Sequence, residues 1–247
     1  MHRLRCLRAC LPCQLPDPRD GKGGLIGGAA MTAEEVYDQL ISTPGPVDCD
    51  AFDRHVIAAI LSLAVAEGAA SGQGPLEGIG LSADELESVL FFWFPAAAHA
   101  TAWCDASRPV IDKEEQSVRD ILGMYCSQGD ALERTLGAMI ARRCKFPHHL
   151  WQDLGLRNRT ELSSLMKRHF APLAQKNRND MKWKKFLYRM VCGSEGFTLC
   201  TAPVCAECDD FHVCFGAEDG ESRLAWMRNG RGPAANEDHT ELPAAAE

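Results

Sequence analysis

From Thr32 to Val191 the apolar side chains recur three and four residues apart, and that spacing dictates helices. No apolar/polar alternation of strand length interrupts it. Thr32 with Glu35, and Ser82 with Glu85, are spaced as capping boxes, in which hydroxyl and carboxylate each satisfy a free amide at a helix start. In "AFDRHVIAAILSLAVAEGAA" Phe52, Val56, Ile60 and Leu63 share one face. Residues 112–126 and 130–143 read as two more helices, broken at Gln128-Gly129. "RTELSSLMKRHFAPL" repeats Leu162, Leu165, Met166 and His169 or Phe170, and ends near Pro172. "NDMKWKKFLYRMVC" repeats Trp183, Phe186, Leu187, Met190 and Val191. It starts with Asn179 or Asp180 as cap and carries Lys182, Lys184 and Lys185 on its exposed faces. The predicted class is all-α: one helical domain with an irregular cysteine-rich loop at its C-terminal end.

Residues 1–30, basic and Gly-rich with no period, read as a disordered N-terminal extension. The helical domain is placed at 31–216, including the cysteine loop 200–214, and a disordered acidic tail at 217–247. The start "MHRLRCLRACLPCQLPD" lacks the apolar run of a signal peptide, so the twelve cysteines point to a reducing cytoplasm and to metal ligands rather than disulfides. The most apolar stretches, 56–66 and 89–98, fall short of the roughly 20 residues of a membrane helix. No membrane span is expected.

Charge is segregated along the chain. Residues 141–191 hold thirteen Lys and Arg against three Asp and Glu, whereas 31–140 hold five against eighteen and 192–247 hold three against eleven. A basic block beside a cysteine site suits nucleic acid, an acidic protein or an oxyanion, or is simply a solvated helix face.

Where the basic block stops, "CTAPVCAECDDFHVC" places Cys200, Cys205, Cys208 and Cys214 in a C-x4-C-x2-C-x5-C pattern. Thiolates are soft donors that suit zinc, copper(I) or an iron-sulfur cluster. Zinc ribbons usually show two C-x2-C knuckles, and this loop has one, so an iron-sulfur cluster is favoured while zinc stays open. His212 lies among the ligands, and Cys192 ends the helix that leads to them. Cys49, Cys104, Cys126 and Cys144 are isolated and read as small buried hydrophobes. Cys6, Cys10 and Cys13 make a C-x3-C-x2-C in the basic arm without the α/β barrel that radical chemistry would need. "GGLIGG" lacks the lysine of a phosphate loop. His148 and His149 are adjacent, so their side chains diverge, and one of the two is a candidate ligand.

The stretches "HLWQDLGLRNRTELSSLMKRHFAPLA" (149–174), "MKWKKFLYRMVC" (181–192) and "CTAPVCAECDDFHVCFG" (200–216) resemble the nitrogen-fixation protein family NifQ, across most of residues 112–216. The resemblance implies a bacterial cytoplasmic carrier without turnover of its own. Its cargo would be an oxygen-sensitive iron-sulfur cluster containing molybdenum, which supplies molybdenum for the iron-molybdenum cofactor of nitrogenase. Cys200, Cys205, Cys208 and Cys214 match the family's cysteines. The implied partners are a molybdenum source such as molybdate and the cofactor-assembly proteins, the scaffold NifEN and NifH, with neither nucleic acid nor membrane. His212, His149, Cys192, Lys182, Lys184 and Lys185 are candidate accessory residues, the lysines for steering an anion or docking an acidic partner. A zinc-stabilised interaction module and a simple iron-sulfur electron carrier are the alternatives.

Overall fold

A computed structural model describes residues 31–42, 45, 49–98, 109–194 and 223, with backbone alone for 192–194. Among them are ten helices and no strand: α1 (Ala33–Ser42), α2 (Ala51–Ser71), α3 (Pro75–Ile79), α4 (Ala83–Trp93), α5 (Lys113–Met124), α6 (Ala131–Cys144), α7 (Leu150–Asp153), α8 (Arg159–His169), α9 (Ala171–Lys176) and α10 (Trp183–Ser194). The body is all-α, as its periodicity predicts. The cysteine loop 200–214, the extension 1–30 and, apart from Arg223, the segment 217–247 lie outside the described residues.

Local signals set the helix starts. Glu35 N–H donates to Thr32 Oγ1 at 3.2 Å while Thr32 N–H donates to Glu35 Oε2 at 2.8 Å, and Ser82 and Glu85 repeat the exchange. Asp50, Asp112 and Asp130 cap α2, α5 and α6. The break at Gln128-Gly129 is held by Glu133, whose carboxylate accepts both amides at 2.8 and 2.7 Å.

The prediction for α2 was too narrow. One apolar face was expected, but every residue from His55 to Ala64 is buried, because α1 and α3 pack against α2 and the turn after α7 meets it as well. A helix surrounded by its own protein is apolar all round. By length and composition α2 would suit a membrane, yet most of its apolar window is buried within the protein.

Two details position the region before the cysteines. Gly155 has φ +72, and a Cβ there would stand 3.0 Å from Ala59 O, so only glycine lets the turn after α7 press onto α2. The cap of α10 differs from expectation. Asp180 adopts φ 53, a left-handed conformation unlike that of a capping residue, and Asn177 brackets Met181 instead, accepting from its N–H and donating to its C=O at 2.9 Å each.

Candidate functional site

Helix α10 delivers the chain to the cysteine segment, and its sequence fixes how it lies. Trp183, Phe186, Leu187 and Val191 are buried at helical spacing, with Trp183 and Phe186 edge-to-face at 5.8 Å between centroids. Trp183 Nε1 donates to Ser163 Oγ at 3.3 Å, tying α10 to α8. Tyr188 Oη donates to Glu114 Oε1 at 2.6 Å, tying it to α5; burial and then Glu114 raise the phenol's pKa.

Lys185 is exposed and Lys182 and Lys184 are both partly so, but Lys184 does not leave its charge in solvent. Its ammonium turns inward, meets Asp153 Oδ2 at 2.5 Å, and donates to the carbonyls of Phe146 and His148. The helix angle decides this: position 184 faces the turn between α6 and α7, which offers three acceptors in one place. Lys184 therefore staples that turn, and only Lys182 and Lys185 remain for steering or docking.

Asp153 is fully buried and is the centre of the arrangement. His148 Nδ1 lies 3.1 Å from its Oδ1, and Arg223 donates to the same oxygen at 3.4 Å. Burial alone would raise the carboxyl's pKa, but His148, Lys184 and Arg223 outweigh it and hold it below its ordinary value. Arg223 also pairs with Glu67 Oε1 at 2.5 Å, whose other oxygen pairs with Arg143 at 2.5 Å. Arg143 is itself fully buried, stacks over Phe146 at 4.6 Å and donates to Ile60 O at 3.2 Å. A chain of alternating charges thus runs from α6 through α2 and α7 to α10.

His149 is the cap residue of α7. Its backbone N–H donates to Gln152 Oε1 at 3.2 Å at the start of α7, and the inward histidine is His148. The two rings diverge as adjacency requires. Asp153, Glu67, Arg143 and Arg223 were missed by sequence reasoning; the available signal was that Asp153 is one of only three acids in the basic block.

Seven of the block's thirteen cations are met by acids among the described residues. Arg142 pairs with Glu77 and Glu115, Arg143 with Glu67, Lys145 with Asp112, Arg157 with Glu161, Arg159 with Asp180, Arg168 with Asp50 and Asp53, and Lys184 with Asp153. Several of these acids come from the acidic N-terminal half.

The predicted ligands Cys200, Cys205, Cys208 and Cys214, and His212, lie outside the described residues, as does the side chain of Cys192. Among the described residues no group of three His, Cys, Asp or Glu side chains could hold a metal ion. Of the isolated cysteines expected to be buried, Cys144 is, Cys49 and Cys126 are only half-buried against the core, and Cys104 lies outside the described residues; burial raises the pKa of Cys49 and Cys126 and pushes Cys144 up to about 12. A metal needs the thiolate, so these three are suited to packing.

The family model described as NifQ matches residues 56–216. The chain is 37% identical over 209 residues to a protein NifQ homolog of Sinorhizobium fredii (strain NBRC 101917 / NGR234), covering 81% of this chain and 90% of the relative. It is 34% identical over 180 residues to the protein NifQ of Rhodobacter capsulatus, covering 72% and 96%. With the protein NifQ of Azotobacter vinelandii it shares 40% over 89 residues, 36% of this chain and 46% of the relative. No solved structure matches.

Proposed function

The chain belongs to the NifQ family, and from that premise we propose that it carries an iron-sulfur cluster containing molybdenum and donates the metal for assembly of the nitrogenase iron-molybdenum cofactor. The observation that carries this reading is the reach of the family match. It extends to residue 216 and so takes in the whole C-x4-C-x2-C-x5-C pattern together with most of the helical body.

Cys200, Cys205, Cys208 and Cys214 would hold the cargo as thiolates, the soft donors that iron and sulfide-bound molybdenum favour. Among the described residues the helical body supplies no competing set, since no three of its His, Cys, Asp or Glu side chains are grouped to hold a metal. Its task is to present the segment, and the role is that of a carrier without turnover, acting in the cytoplasm. Lys182 and Lys185, at the start of α10, are the cations placed to meet an anionic molybdenum source or the acidic surface of an assembly partner, the scaffold NifEN or NifH.

Metal analysis and absorption spectra of protein purified without oxygen test the reading. Iron, sulfide and molybdenum together are expected. Zinc alone in a colourless sample would make the chain a zinc-stabilised interaction module, and iron and sulfide without molybdenum, even after molybdate is supplied, would make it an electron carrier.

A further inference from the structure

The end of α5, the turn after α9 and one side of α10 enclose an open groove of about 630 Å³. Ile121, Met181 and Phe186, all buried, give it an apolar lining with Tyr125, and Met124 lines it while 70% exposed. The charged side chains that line it are all positive: Lys176, Arg178 and Arg189. Lys176 lies over the Tyr125 ring at 5.3 Å, and among the described residues neither Lys176 nor Arg178 meets a carboxylate. The neighbouring acid, Asp180, is paired with Arg159. Lys182 and Lys185 are not part of the groove.

We propose that this groove docks a protein partner through an acidic segment that carries an apolar side chain; that the partner receives the cargo rests on the carrier reading above. Charge complementarity selects the occupant. Cations without an acid among them favour carboxylates, and an apolar surface beside them strengthens each pair by excluding water. A small oxyanion would use the cations but gain nothing from Ile121, Met181 and Phe186. Nucleic acid is an extended polyanion, and the chain as a whole, with a net charge of -8, repels it. A short protein segment needs only a few carboxylates at the rim and one side chain on the lining. Position gives the docking its use. Phe186, Arg189 and Met190 belong to α10, and Arg189 stands about 7.5 Å along that helix from its end at Ser194, so a seated partner is held beside the helix that leads to the cysteine segment.

The test uses the full chain, metal-free, with purified scaffold NifEN and NifH as probes, and reads their binding by biolayer interferometry. Lys176→Glu with Arg178→Glu, both at exposed positions, should keep the helical circular dichroism and melting temperature of wild type while weakening binding about tenfold or more. Met124→Gln removes an apolar contact without changing charge and should weaken binding several-fold at high salt as at low, which steering by charge alone would not do. Should the charge reversal unfold the chain, Met124→Gln decides: weaker binding at an unchanged melting temperature supports docking, and wild-type binding overturns it. The photo-cross-linker p-benzoylphenylalanine in place of Met124 identifies the occupant. Irradiated with the probes, it should capture a probe peptide in which Asp or Glu stands beside apolar residues. Capture of the acidic C-terminal residues of this chain, of a second copy, or of neither probe overturns the proposal, as does wild-type protein that binds neither. The carrier reading fails separately. If protein purified without oxygen holds no molybdenum yet both variants bind the probes less well, the groove stands without the carrier; if it holds molybdenum and both variants bind and deliver as wild type does, the carrier stands without the groove.

Discussion

Replacing Lys184 with methionine separates a lysine that steers from a lysine that staples. The substitution keeps the length of the stem and removes the ammonium from Asp153 Oδ2 and from the carbonyls of Phe146 and His148. Removing one partner of a buried ion pair costs about 3–5 kcal/mol, because the remaining charge stays buried. Asp153 retains His148 and Arg223, and the Lys184 side chain is 17% exposed, which puts the expected loss at the low end, about 3 kcal/mol. For a chain of this size each kcal/mol shifts the melting temperature by about 2–4 °C, so a drop of roughly 6–12 °C follows. Lys185→Met, at an exposed position one residue away, should stay within about 0.5 kcal/mol of wild type.

Urea unfolding followed by circular dichroism measures both variants, and repeating it from pH 7 to pH 3 tests the cause. The Asp153 carboxyl is held below its ordinary value, so its contribution is fully present above the unfolded value of about 4 and is lost as pH falls through the folded one. The gap between wild type and Lys184→Met should therefore be widest at neutral pH and shrink below about pH 4. A loss under about 1 kcal/mol at pH 7, or a gap that ignores pH, would refute the staple.

Alanine at Cys200, Cys205, Cys208 or Cys214 should remove iron and molybdenum together, measured by metal analysis of protein prepared without oxygen. Lys182→Gln with Lys185→Gln should leave iron content unchanged while molybdenum loading or transfer weakens further as salt rises, since exposed charges act over about 8 Å at physiological ionic strength; wild-type loading at all salt concentrations would remove steering from the account. Gly155→Ala should cost about 2 kcal/mol or more, from the left-handed backbone and from the contact of the new Cβ with Ala59 O, as read by thermal unfolding.

What could be read from the chain was what is decided locally. Capping boxes at Thr32 and Ser82 and the break at Gln128-Gly129 depend on residues within a few positions of one another, and each occurs where the spacing put it. The start of α10 was harder, because Asn177, Asn179 and Asp180 all have capping chemistry within four residues. Backbone conformation chose among them: Asp180 took the left-handed region, leaving Asn177 to bracket Met181. The donor set of 200–214 was read from residue type and spacing alone, and those residues lie outside the described part of the structure.

The basic block was misjudged because charge along a sequence does not reveal where its partners lie in space. Lys184 and Lys185 are adjacent and chemically identical, yet the roughly 100° between successive helical positions sends one to Asp153 and leaves the other in water. The excess of bases in 141–191 read as a surface for an anion or an acidic partner, or as a solvated helix face, but Arg143, Lys145 and Arg142 are met by Glu67, Asp112 and Glu115. The segregation is in good part complementarity between two halves that fold onto each other. What remains for an anion or an acidic partner is the remainder after pairing; of the three lysines first singled out, Lys182 and Lys185 at the start of α10 belong to it and Lys184 does not.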